Sequence, residues 1–250
     1  MFMNTMLFFL PMFPQADLVN AFLRANTAGK ALVVLLLIGS VIAWSIMMTK
    51  FREYRRAYRE AKRFLAVYQG ELHPIALIMK RPSFPSCPLY MMYRTACRTL
   101  HGLIEAHGIN PAEWFGGQST VSAPKLNDTD MKIVRNIIDQ TVDEQVIQIE
   151  KNVVVLATVV TAAPFIGLMG TVWGIMDAFG GLAIQGVATI SSVAPGIAGS
   201  LITTLAGLIV ALPSLIGYNM LTSRIHILST MMDHFAEELM TDLERHNLRK

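Results

Sequence analysis

The sequence predicts an all-α integral membrane protein with three transmembrane helices and long cytoplasmic helical extensions, in an N-out/C-in orientation. Composition is the first observation behind this: of 250 residues 53% are hydrophobic and only 16% charged, with a positive mean hydropathy, which lies outside the range of ordinary soluble domains. The second is that the apolar residues fall in charge-free blocks long enough to cross a hydrocarbon core, which takes about 20 helical residues; one stretch, Ala178 to Ser223, holds no Asp, Glu, Lys or Arg at all. The third is the placement of charge. Of 21 Lys and Arg residues only Arg24 and Lys30 precede the first basic flank, and the rest fall on segments that the positive-inside rule assigns to the cytoplasm.

Residues 1–28 form an extracytoplasmic N-terminal segment. MFMNTMLFFLPMFP is broken by Pro11 and Pro14 and lacks the basic start of a signal peptide, so it is expected to be retained. Leu18, Val19, Phe22 and Leu23 oppose Asp17, Asn20 and Arg24, as in a helix lying on a membrane surface; a disordered lead-in is the other reading. Residues 29–49 make the first span, charge-free between Lys30 and Lys50. Arg52, Arg55, Arg56, Arg59, Lys62 and Arg63 follow at once, marking the cytoplasmic end.

Residues 50–151 form a cytoplasmic helical region interrupted by Pro74, Pro82, Pro85 and Pro88, with an irregular linker before Asp128. From Asp128 a helix carries Ile133, Ile137, Ile138, Val142, Val146, Ile149 and Val153 as an apolar stripe, and it is expected to run unbroken into the second span, 152–179. Residues 180–190, with Gly180 and Gly181, make an extracytoplasmic turn; residues 191–222 make the third span. Residues 223–250 form an amphipathic cytoplasmic helix with Ile227, Met231, Phe235 and Leu239 on one face, suited to pack on the helix of the second span.

Both later spans have two distinct sides. In the second, Ala163, Gly167, Gly170, Thr171, Gly174 and Ala178 share a face opposite Phe165, Met169, Val172, Trp173 and Met176. In the third, Gly196, Ser200, Thr203, Thr204, Gly207, Ala211 and Ser214 oppose Ile197, Leu201, Leu205, Leu208, Leu212 and Leu215. Branched aliphatics suit lipid, whereas a small, hydroxylated face admits a neighbouring helix or lines a narrow polar passage. Pro164, Pro195 and Pro213 are candidate kinks.

PFIGLMGTVWGIMDAF, followed by VAPGIAGSLITTLAGLIVALPSLIGYN, resembles the signature of the MotA/TolQ/ExbB proton-channel family, and IGSVIAWSIMMTKF at the first span is also similar. Within that family the chain resembles TolQ and ExbB more than the flagellar MotA. The resemblance implies a bacterial inner-membrane homopentamer around a smaller TolR- or ExbD-like single-span partner. That partner supplies an intramembrane Asp, and the complex uses the proton-motive force to do work on the envelope. It also implies that Thr171 and Thr204 face the ion pathway and the partner, with Thr203 and Ser200 adding hydroxyls. One position departs from the family: PGIAEAL usually carries a glutamate where this chain reads PGIAGSL, with Gly199. The titrating carboxylate is therefore expected from the partner, and the extra hydroxyls leave sodium open beside the proton as coupling ion.

Helical threonines also bond back to carbonyls one turn earlier, so the hydroxyls have a purely structural reading as well. Two alternatives to the channel subunit stand: a scaffold that conducts nothing, for which Gly199 argues, and a permease subunit, disfavoured by the lack of a substrate site. Cys97, His101 and His107 are too few for a metal centre, no disulfide is expected between Cys87 and Cys97, and no cofactor or nucleic-acid partner is expected. Phosphate-binding loops, HExxH and nucleophile-base pairs are absent from the sequence, so no enzyme is predicted.

Overall fold

The structure, a computed structural model, describes residues 26–71, 77, 84–107, 126–185 and 190–248. Among these the fold is all-helical: α1 is Thr27–Gln69, α2 Pro88–Ala106, α3 Asp128–Glu150, α4 Val153–Gln185 and α5 Ile190–Leu248. α1, α4 and α5 are each long and apolar enough to cross a membrane. The membrane-surface helix expected before Asn26 and the irregular linker expected before Asp128 lie outside the described residues, apart from the linker's last residues, 126 and 127.

The chain divides into two compact units: Met1–Met48 with Asn152–Asn219, and Thr49–Lys151 with Met220–Lys250. The first holds the apolar stretches of α1, α4 and α5. Asn26 starts α1, its side-chain oxygen accepting from the Gly29 amide at 2.7 Å, as an N-cap does. The small core of this unit joins Leu36 of α1, Ala163 of α4, and Val210 and Ala211 of α5. Met47 fills the space over Gly217, where a Cβ would overlap its sulfur. Most large apolar side chains of these spans instead face outwards, Val41 at 70% and Phe165 at 71% exposure. That surface suits lipid or other helices.

The second unit has an aromatic-rich core. Phe64 of α1 is fully buried and meets Phe84, Tyr90 and Phe235 edge-on at centroid distances of 5.5–5.8 Å, the geometry that ring quadrupoles favour. α2 begins where Pro88 fixes the first helical turn and the Cys87 sulfur caps the Tyr90 amide. α3 begins where the Asp130 carboxylate accepts from the Asn127 amide at 2.9 Å. The tail of α5 packs in this core with α3, and Arg135 and Glu237 pair across them at 2.9 Å.

Several expectations are corrected. α3 does not run unbroken into α4: the helix stops at Lys151–Asn152, where Asn152 adopts φ 71°. Asn is the non-glycine residue that best tolerates this left-handed region. The buried stripe of α3 is Met131, Val134, Ile138 and Val142, with Ile133 turned outwards at 40% exposure. Likewise the tail of α5 buries Leu228, Met232, Phe235 and Leu239, while Ile227 is 49% exposed. In both helices the apolar residues exceed what one face holds, and the packed face is set by the partners. α4 continues as helix through Gly180 and Gly181 to Gln185, since glycine lowers helix stability by only about 1 kcal/mol each and no proline follows.

Candidate functional site

The small faces of α4 and α5 meet each other. A Cβ built at Gly207 would lie 2.6 Å from the Ala163 carbonyl oxygen, and one at Gly167 would lie 2.8 Å from the Thr203 carbonyl oxygen. Both obstacles are backbone, so only glycine permits this approach. One at Gly170 would lie 2.5 Å from Thr203 Oγ1, and one at Gly174 2.5 Å from Ser200 Cβ. Gly196 is less constrained, with Ala178 Cβ at 3.1 Å. Ala163 and Ala211 are buried on the same two helices, beside Leu36.

Into this contact the helices place three threonine hydroxyls. Thr171 Oγ1 and Thr204 Oγ1 hydrogen-bond directly to one another. The Gly167 carbonyl is reached by Thr171 at 3.3 Å, Thr203 at 3.1 Å and Thr204 at 3.2 Å. The Ser200 carbonyl is reached by Thr171 at 3.2 Å and Thr203 at 2.7 Å. Each hydroxyl has one proton, so it donates to one of these oxygens at a time and the others remain acceptors. Ser200 itself donates to the Ile197 carbonyl at 2.7 Å. Thr203 is 1% exposed and Thr171 8%, while Thr204 is half-buried and Gly199 buried.

The site is electrically neutral. From Asn152 to Met176 and from Ala178 to Ser223 there is no charged residue; Asp177, towards the far end of α4, is exposed and accepts from the Asn26 amide nitrogen at 3.3 Å. Pro164 lies inside α4, and Pro195 and Pro213 inside α5, with helix continuing through each. Among the described residues no group of His, Cys, Asp and Glu is placed to hold a metal; the pair that sequence spacing brought up, Cys97 and His101, lies on α2 with Cys97 buried. What the arrangement offers is a set of neutral, reorientable hydroxyls in a water-poor contact, able to accept from or donate to a group brought alongside.

The bond of Thr171 back to the Gly167 carbonyl is the one-turn back-bond expected of helical threonines; not anticipated was that Thr203 and Thr204 reach the same carbonyl from the other helix, and Thr171 the Ser200 carbonyl. Within α5 the back-bond runs from Thr203 to the Ser200 carbonyl three residues earlier, a spacing also present in the sequence.

Comparison with known proteins agrees with this architecture. Residues 113–234 match the MotA/TolQ/ExbB proton channel family. The chain is 30% identical to the Tol-Pal system protein TolQ of Haemophilus influenzae over 234 residues, 92% of this chain and 95% of that protein. It is 30% identical to TolQ of Pseudomonas aeruginosa over 224 residues, covering 89% and 90% of the two chains. A shorter match, 51% over 65 residues, links it to the biopolymer transport protein ExbB of Pseudomonas putida, covering 26% of this chain and 20% of that one. With three apolar helices of spanning length and TolQ relatives aligned almost end to end, this bacterial membrane protein belongs to the MotA/TolQ/ExbB proton channel family.

Proposed function

We propose that the chain is a multi-pass inner-membrane channel and motor subunit of TolQ/ExbB type. With a TolR- or ExbD-like single-span partner it uses the proton-motive force to drive work at the outer membrane or cell envelope. The observation that carries this reading is the Thr171–Thr204 hydroxyl pair, held between uncharged small-residue faces of α4 and α5 with Thr171 buried and Thr204 half-buried. Neutral hydroxyls stabilise a carboxylate or a passing ion without themselves carrying a charge that the membrane would penalise. The chain offers no carboxylate of its own between Ala178 and Ser223, so the titrating Asp belongs to the partner. Several copies, five by family resemblance, surround it.

In this reading the topology is N-out/C-in, with spans at 29–49, 152–179 and 191–222. Residues 50–151 and 223–250 lie in the cytoplasm, and 1–28 and 180–190 outside it. Thr171, Thr204, Thr203 and Ser200, with Gly199, form the partner-facing region, the small residues hold α4 to α5, and Pro164, Pro195 and Pro213 allow the helices to bend. The Tol-Pal role named for the long-matching relatives is favoured over biopolymer transport by the extent of the alignment.

A second reading has its own observation: every threonine hydroxyl of the site already reaches a backbone carbonyl, and Gly199 stands where the family resemblance implies a glutamate. That suits a scaffold which assembles with the partner and conducts nothing. Proton flux in proteoliposomes holding this chain and its partner separates the two. Flux that vanishes with a partner Asp→Asn variant is expected for the channel; no flux from a confirmed assembly selects the scaffold.

A further inference from the structure

The second unit carries charge of opposite sign on two different helices. On α1, Arg52, Arg55, Arg56, Arg59 and Arg63 are exposed and share about a third of the helix circumference, with Lys62 at its edge. Of the acids in this stretch, Glu53 pairs with Lys50 at 2.9 Å, and Glu60 with Arg56 of this face at 3.3 Å and with the Ser86 amide at 2.8 Å. Among the described residues Arg52 and Arg63 have no carboxylate partner, and Arg59 donates to the Arg55 carbonyl at 3.2 Å.

On α3, Asp139, Asp143 and Glu150 are exposed on one face with no basic residue between Asn136 and Glu150, and no ion pair joins them to another of the described residues. Ile147 stands beside them at 65% exposure, an apolar side chain that a contact would cover. The two stripes also match in length: Arg52 to Arg63 spans about 17 Å along α1, and Asp139 to Glu150 about 17 Å along α3.

We infer that the arginine face of α1 docks on the acidic face of α3 in a second copy of this chain. The two faces are different, so the contact is head-to-tail and repeats around a ring. A lipid surface is the competing occupant, but a headgroup layer is only about 5–8 Å deep. Arg59, Lys62 and Arg63 stand about 14, 18 and 20 Å along α1 from Lys50, beyond that depth. The inference rests on the multi-copy assembly proposed above and assigns its interface.

Arg59→Glu with Arg63→Glu leaves the basic residues nearest the span in place and reverses the outer half of one stripe; Asp139→Arg with Asp143→Arg reverses the other. In the full-length, detergent-purified protein, read by mass photometry with helix content checked by circular dichroism, each pair is expected to weaken self-association on the order of tenfold. The chain carrying all four changes is expected to recover it. Assembly unchanged by either reversal would overturn the inference, as would a loss that the fourfold variant does not repair. Unchanged assembly with weakened binding to vesicles rich in phosphatidylglycerol would assign the arginine face to lipid instead. A ring that depends on these charges yet passes no protons would sink the channel reading alone, and flux from an assembly indifferent to them would sink only this interface.

Discussion

Thr203 is the residue on which the α4–α5 contact turns. Its hydroxyl reaches the Gly167 carbonyl of the opposite helix at 3.1 Å and the Ser200 carbonyl of its own at 2.7 Å, at a position 1% exposed. Thr203→Val keeps the shape and removes the donor, and is expected to lower stability by about 1 kcal/mol, the usual worth of such a bond between membrane helices. Thr203→Ser keeps the hydroxyl and is expected to retain most of it. Melting midpoints in detergent check this, and a valine variant that melts with the parent would show the bond to be idle. The stripe holding Thr203 was legible in the sequence because a small face at helical period wants a close neighbour. That the neighbour is the matching stripe of α4 was not, because periodicity names a face and not what it meets; Gly167 and Gly207, each facing the other helix's backbone, supply the missing information only in three dimensions.

At the scale of elements, the three long apolar helices were the most legible feature, since charge-free length can be counted from the sequence whatever the packing. The junction of α3 and α4 was the least. Lys151 and Asn152 sit in a run with neither proline nor glycine, so helix propensity alone gives no reason to stop. The break shows only in the φ of 71° at Asn152. A β-branched residue there clashes with its own backbone, so Asn152→Ile is expected to cost about 1–2 kcal/mol, while Asn152→Gly is expected to be neutral or slightly stabilising. Were the isoleucine variant as stable as the parent, the chain would be passing through the junction as continuous helix, as the sequence alone suggested. The shifted faces of α3 and the α5 tail have a related cause. Each carries more apolar residues than one face holds, and Ile133 and Ile227 lose the competition to Val134 and Leu228, which meet the aromatic core.

Taken whole, the molecule divides its titratable chemistry unevenly between its two units. The second unit holds both cysteines and Tyr68 in its interior. Burial pushes the Cys87 thiol up to about 11 and the Cys97 thiol up to about 12, from an ordinary 9.0. Burial, then the adjacent Asp242 carboxylate, raises the Tyr68 phenol above its ordinary 10.0, and its hydroxyl donates to Asp242 at 2.9 Å. All three are acids whose neutral form the fold prefers, so above pH 9 the unfolded chain sheds protons that the folded chain keeps. Their contribution to stability is complete below pH 9 and is lost as pH rises towards 11 and 12, with Tyr68 adding to the slope above pH 10. The melting midpoint of the second unit is therefore expected to fall between pH 9 and pH 11. Cys87→Ala with Cys97→Ala lowers stability at neutral pH by leaving small voids, but it removes two of the three groups and so is expected to flatten the alkaline slope. It is the slope and not the midpoint that tests the account: an equally steep fall in the double variant would place the alkaline sensitivity elsewhere, in the surface charges that the buried thiols do not touch.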